Sequence, residues 1–269
     1  MIIDFHTHVF PDKIAGKTID ALASKSNNKP NTDGTVDGMI KALERANADI
    51  AVALPVLTKP TQFDSVTAFA ISINERFKNE KRKIISFGGM HPDCDNVEDK
   101  LTYLKENGIK GIKIHPDYQS TFIDDAKYVK ILKCAKELDL IVVTHSGIDD
   151  GYIGEPVRCS PERVRSVIEK VDHKKFVLGH YGAHKQWQKT LKILSDLDVY
   201  FDTAFTFNDI DEKLFKDILK KHGEDKVLFA TDCPWREIKE DAEILRSFNL
   251  SKETEDKIFY KNALKLLGI

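Results

Sequence analysis

Short runs of apolar and β-branched residues recur along the chain, each followed by a charged stretch whose apolar positions repeat every three or four residues. The runs are IIDFHTH (2–8), DIAVALPV (49–56), KIISFGGMHP (83–92), IKGIKIHP (109–116), LIVVTHSG (140–147), KFVLGHYG (175–182), DVYFDTA (198–204) and KVLFATDCPW (226–235). Strand-sized, nearly continuous apolar runs suit parallel strands buried on both faces. The segments between them, such as VEDKLTYLKENG (97–108) and AKYVKILKCAKELD (126–139), carry the period of amphipathic helices. Gly108 stands where a helix would end, and Ser160-Pro161 where one would start. Near the end, TEDKIFYKNALKLLG reads as one more helix.

Eight β-then-α units within 269 residues predict a single α/β domain, residues 1–269, folded as a (β/α)8 TIM barrel. The rival is an open doubly wound sheet, which would call for a Gly-rich phosphate turn, and neither GxGxxG nor a P-loop occurs. A long loop and helix insertion separates the first strand from the next unit. It contains the helix-like DKIAGKTIDALASK and the polar SNNKPNTDG, and it is a candidate lid or substrate wall.

Charge and composition then narrow the partners. The formal net charge is −2, so there is no broad cationic field to attract a nucleic-acid backbone. MIIDFHTH lacks the basic leading segment and apolar run of a signal peptide, and IAVALPV (50–56) is too short to span a bilayer. Cys94, Cys134, Cys159 and Cys233 form no CxxC pair, which suggests reduced thiols in a cytoplasmic setting. The expected partner is a small-molecule substrate rather than nucleic acid or membrane. Association into a homo-oligomer is compatible with the fold, and no interface is legible.

The polar residues are not scattered. His6 and His8 end the first strand, His91 the third, Lys113 and His115 the fourth, His145 the fifth, His180 the sixth and Asp232 the eighth. In a barrel these ends meet at one face, where active sites of this fold are built. Strand alternation would place Asp4, His6 and His8 together, with Ile3, Phe5 and Thr7 opposite. Polar groups so gathered need a satisfying partner, and imidazole with carboxylate suits one divalent ion, Zn2+ first, with Mn2+ or Fe2+ as alternatives. His173 and His222 read as solvent-facing. Cys233, adjacent to Asp232, reads as packing.

The motifs DFHTHVFP, GIKIHP, VVTHSG, LGHYG and ATDCPW, in that order along the chain, resemble the amidohydrolase superfamily. Within it they are closest to the branch similar to aminocarboxymuconate-semialdehyde decarboxylase. The resemblance implies a metal held by His6, His8, His145 and Asp232, with His180 and Asp232 acting on the water or substrate. In binuclear branches a strand-four lysine or carboxylate bridges two metals; here that would be Lys113, with His145 and His180 on the second ion. The absence of a strand-four carboxylate favours one metal.

Such a centre acidifies bound water toward a pKa of roughly 7. The leading expectation is therefore hydrolysis of an amide, ester or lactone. The alternative is a nonoxidative decarboxylase or hydratase; less supported are a binuclear phosphodiesterase or nuclease and a non-catalytic metal-binding barrel. Lys113, His115, Arg158 and Trp235 are candidate substrate contacts, and Arg236 a further cationic clamp. Phe205, Phe207 and Tyr118 also follow strand ends and could wall an apolar substrate.

Overall fold

The apolar runs form short parallel strands in the computed structural model, which describes residues 1–269. They are β1 (Ile3–Thr7), β2 (Ile50–Ala53), β3 (Lys83–Ser86), β4 (Gly88–Gly89), β5 (Gly111–Ile114), β6 (Ile141–Thr144), β7 (Phe176–Leu178), β8 (Tyr200–Asp202) and β9 (Val227–Leu228). Nine segments make eight barrel strands, because β3 and β4 are one strand interrupted at Phe87. β1, β2 and β3 pair in that order, and β4 to β9 pair in succession. Backbone bonds knit the two sheets into a ring: Phe87 N–H donates to Ala53 O at 2.9 Å, Phe5 to Phe229 at 2.9 Å and His8 to Cys233 at 2.7 Å. The expected TIM barrel is present.

Alternation sorts the strand residues into two cores. Ile3, Phe5, Val52, Phe87, Val143, Val177 and Leu228 fill the barrel's interior. Ala51, Ile112, Ile114, Val142, Phe176, Phe201 and Val227 face outward into the larger core shared with the helices. The predicted helices form where the 3.6-residue pattern placed them, among them α4 (Val97–Glu106) and α5 (Ala126–Glu137). α6 (Pro161–Val171) starts at its proline.

The final amphipathic stretch is one helical run, α10 (Lys252–Asp256) and α11 (Asn262–Leu267), joined by a wider π turn over Lys257–Lys261. Ala263, Leu266 and Leu267 of α11 join the interior cluster beside Ile3, Ile50 and Ile141, so this helix plugs the end of the barrel opposite the histidines.

The insertion after β1 holds α1 (Asp12–Ser26), followed by α2 (Val36–Ala46). α1 leans over the strand ends, where Lys25 Nζ sits 3.4 Å from the ring centre of Tyr152. The loop after α1 rests on the turn that follows β9, with Asn31 N–H donating to Pro234 O at 2.7 Å. All four cysteines are free, and Cys233 lies fully buried in the outer core. No helix is long and apolar enough to cross a membrane.

Two sequence expectations are corrected here. His173 is buried rather than solvent-facing, its Nε2 donating to Leu140 O at 2.9 Å, because it turns back under β6. His222 also turns inward and stacks on Phe201 with ring centres 3.8 Å apart.

Candidate metal centre

His6, His8 and Asp232 meet at the carboxyl end of the barrel, each offering one ligand atom within 4.8 Å of the others. Asp4 does not join them, contrary to simple alternation. The pairing of β1 with β2 shifts register between Asp4 and Thr7, a bulge that changes which face the later residues present. Asp4 instead accepts from Thr231 N–H at 3.0 Å and sits 2.5 Å from the Thr231 hydroxyl. Burial pushes its pKa up to about 8.

Hydrogen bonding fixes where the ring protons lie. A carbonyl only accepts, so His8 Nδ1, 2.9 Å from Leu54 O, carries a proton, and in the neutral ring its Nε2 presents a lone pair. That lone pair points at Asp232 Oδ1, also 2.9 Å away. His6 Nδ1 donates to Asp202 Oδ2 at 2.9 Å, so its Nε2 is an acceptor, 2.9 Å from Lys113 Nζ and 3.6 Å from Asp232 Oδ1. With both rings neutral, lone pairs of His6 Nε2, His8 Nε2 and Asp232 Oδ1 converge; Lys113 Nζ reaches only the first, and a cation, or a proton added on His8 Nε2, relieves the contact with Asp232. Burial opposes the charge on Asp232, but the His8 bond and the attraction of His6 and His8 outweigh it and hold its carboxyl well below the usual range. The donor set fits one borderline divalent ion.

Asp202 was not picked out from the sequence, although it ends the seventh apolar run. Its Oδ1 accepts from the backbone N–H groups of His180 and Ala204 at 3.0 and 3.1 Å, while Oδ2 holds His6. A carboxylate on the far nitrogen of a ligating histidine fixes both tautomer and ring orientation. Gly179 makes room for this pairing: a Cβ there would lie 2.8 Å from Thr144 O and within 4 Å of His6 and Asp202.

His145 stands beside the group rather than in it. Its Nδ1 lies 2.9 Å from His180 Nε2, and its ring stacks on His115 at 4.4 Å. His180 reaches inward because its backbone is left-handed, φ 60°, against the alternation of β7. Burial lowers its pKa to about 3, so its ring is neutral. Lys113 Nζ is 2.9 Å from His6 Nε2, and burial lowers its pKa to about 8.

His115 Nε2 faces Asp149 Oδ2 at 3.4 Å, and burial pushes Asp149 up to about 7. His115, His145 and Asp149 form a second gathering of metal-competent atoms. Tyr118 stacks on the other face of this set, 3.9 Å from His115. Phe205 lies edge-on to His184, whereas Phe207 packs with Phe215 and Phe248 in the outer core.

The proposed cationic clamps are already engaged. Arg158 binds Asp117 Oδ1 at 3.3 Å and Glu155 Oε2 at 2.8 Å, and Arg236 is paired with the buried Asp241. Trp235 is half-buried on the turn after Asp232, its N–H donating to Asp232 O at 2.9 Å. His91 serves the turn after β4, Nδ1 accepting from Asp93 N–H at 3.1 Å.

Residues 3–269 match the amidohydrolase family, and the chain belongs to that family of enzymes. Solved structures share the barrel at low identity. An uncharacterised TIM-barrel protein from Bordetella bronchiseptica is 14% identical, with TM-score 0.78 over 99% of this chain and 98% of that one. The 5-carboxyvanillate decarboxylase of Novosphingobium aromaticivorans, solved with manganese, is 14% identical with TM-score 0.72 over 100% and 97%. A dihydroxybenzoic acid decarboxylase from Polaromonas, solved with manganese and 2-nitroresorcinol, is 15% identical with TM-score 0.70 over 99% and 96%. A search among curated proteins gives no match.

Proposed function

We propose that residues 1–269 act as one metal-dependent catalytic domain whose reaction is the nonoxidative decarboxylation of a small unsaturated or aromatic acid. The observation that carries the metal centre is the convergence of His6 Nε2, His8 Nε2 and Asp232 Oδ1 within ligand reach of one another. A divalent ion there, Zn2+ or Mn2+, would supply Lewis-acid polarisation of a substrate oxygen. His145 would complete its ligand set and Asp202 would keep His6 in the ligating tautomer.

Decarboxylation is favoured over hydrolysis on two grounds. The fold's solved neighbours include decarboxylases of hydroxylated benzoates. The cleft itself holds a carboxyl group, Asp149, able to keep a proton near neutrality, and carbon protonation must follow loss of carbon dioxide. His115 and Tyr118 offer a stacked flat wall for a planar substrate. With Arg158 and Arg236 tied to acids of their own, binding a substrate carboxylate falls to the cation and Lys113. Hydrolysis of an ester, amide or lactone by the same centre is the rival reading.

The two separate in one assay. Protein loaded with Mn2+ or Zn2+ is incubated with dihydroxybenzoates, unsaturated dicarboxylates, lactones and amides, and carbon dioxide is measured alongside water-dependent cleavage. Carbon dioxide release from an acid supports the lyase; turnover confined to lactones or amides reverses the assignment.

A further inference from the structure

Protons around His145 can be placed as they were around His8. His180 Nδ1 lies 2.9 Å from Ala204 O and must donate, so His180 Nε2 is bare. The short contact from that atom to His145 Nδ1 therefore needs the proton on His145, which leaves His145 Nε2 bare. His145 Nε2 is buried and has no partner. Asp117 Oδ2, 4.0 Å away, is buried with no partner either. Asp117 and His145 are 2% and 6% exposed, so water does not readily satisfy these two facing acceptors. Each carries a substantial cost while unpaired.

We propose that Asp117 is the positioning carboxylate of His145: in the metal-loaded enzyme, the His145 proton resides on Nε2 and is donated to Asp117 Oδ2, leaving Nδ1 as the ligand atom. This rests on the metal-centre reading above. One proton changes ring nitrogen by exchange with solvent, His145 stays neutral and Asp117 stays a carboxylate. Closing the gap needs a ring movement of about 1 Å to reach hydrogen-bond distance. Arg158, which looked from the sequence like a substrate clamp, then has a different task. It holds Asp117 Oδ1 at 3.3 Å while Glu155 balances its charge. The same shift withdraws the donor from His180 Nε2, so that ring regains an acceptor within the cleft only when His145 is ligating.

The test uses the full chain with 15N-labelled histidine, metal-free and with Zn2+, beside Asp117→Asn. Asparagine keeps an oxygen for Arg158 but can present an amide N–H to His145 Nε2, favouring the Nδ1–H form. Metal-free D117N should melt no lower than the parent, because its amide N–H satisfies His145 Nε2 and removes one of the facing acceptors. Zn2+ affinity, read by competition with a chromogenic chelator, should fall 10- to 100-fold. In the parent, the His145 nitrogen shifts should exchange from the Nδ1–H to the Nε2–H pattern on loading. Equal Zn2+ affinity in parent and D117N, or a retained Nδ1–H pattern with Zn2+ bound, overturns the proposal alone. Failure of the parent to bind Zn2+ overturns the metal-centre reading and this proposal with it.

Discussion

His6 is held by a residue nearly two hundred positions away. Asp202 fixes its tautomer, bonds the backbone of His180, and keeps its own charge: burial resists that charge, but His6 and its hydrogen bond bring the pKa below the ordinary value. Asp202→Asn would put an amide N–H against His6 Nδ1 and favour protonation of the ligating nitrogen. Zn2+ affinity should fall about 10- to 100-fold in a chelator competition, and unchanged affinity would show that His6 needs no such lock. Asp232→Asn removes the only carboxylate among the three converging donors. Turnover on any substrate of the parent should be lost while the circular dichroism spectrum is retained; an active D232N would remove Asp232 from the chemistry. His6, His8 and Asp232 were legible as candidates because each stands at the carboxyl end of a strand; alternation alone, which grouped Asp4 with the two histidines, does not place them. Asp202 carries the same signal, a charged side chain ending an apolar run, but a lone strand-end carboxylate is not distinguished by residue type until the fold sets it against His6. Arg158 pairs with Glu155 three residues before it and Asp117 forty-one before it, and Arg236 with Asp241 five residues on; spacing does not mark such pairs, because they depend on the loop conformations the fold imposes.

Elements set these residues by departing from regularity at a few points. β1 carries a bulge that turns His6 toward the cleft and sends Asp4 to Thr231, and nothing in IIDFHTH marks where an extra residue will sit. After β7 and Gly179 come two consecutive left-handed residues, His180 and Tyr181, before Gly182 at φ 89°, which brings His180 inward where alternation predicts outward. Eight βα units and the face they share follow from periodicity; these local reversals depend on contacts made only after the ring closes. Gly179 stands between β7 and the reversal at His180. In Gly179→Ala, the new methyl meets Thr144 O at 2.8 Å, so β6 and β7 must separate or tilt. Overpacking of this kind costs about 1–3 kcal/mol. The urea midpoint should drop accordingly, and Zn2+ affinity with it, because the same methyl crowds His6 and Asp202. A midpoint loss with affinity intact would show that the ligand geometry is insulated from the strand pair.

At the scale of the molecule, acid sensitivity follows from imidazoles that fold in neutral form. His222 is a clean probe because it lies on the outer side of the barrel, stacked on Phe201 at the end of α8 (Glu212–His222), away from the ligand atoms. Burial lowers its pKa from 6.5 to about 4. Between those two values the unfolded chain takes up a proton that the folded chain refuses, so stability is lost as pH falls from 6.5 and the loss is complete below about 4. At 1.36 kcal/mol per unit the full effect is at most about 3 kcal/mol. Phenylalanine at 222 keeps the flat stacking surface and cannot bind a proton. Urea melts of parent and His222→Phe should therefore diverge on acidification, the variant gaining roughly 2 kcal/mol on the parent between pH 7 and pH 4.5. His173 and His180 titrate in both proteins and cancel from the comparison. Parallel stability curves across that range would mean that His222 takes up its proton without leaving its place on Phe201, and that the barrel's acid response arises at its other buried rings.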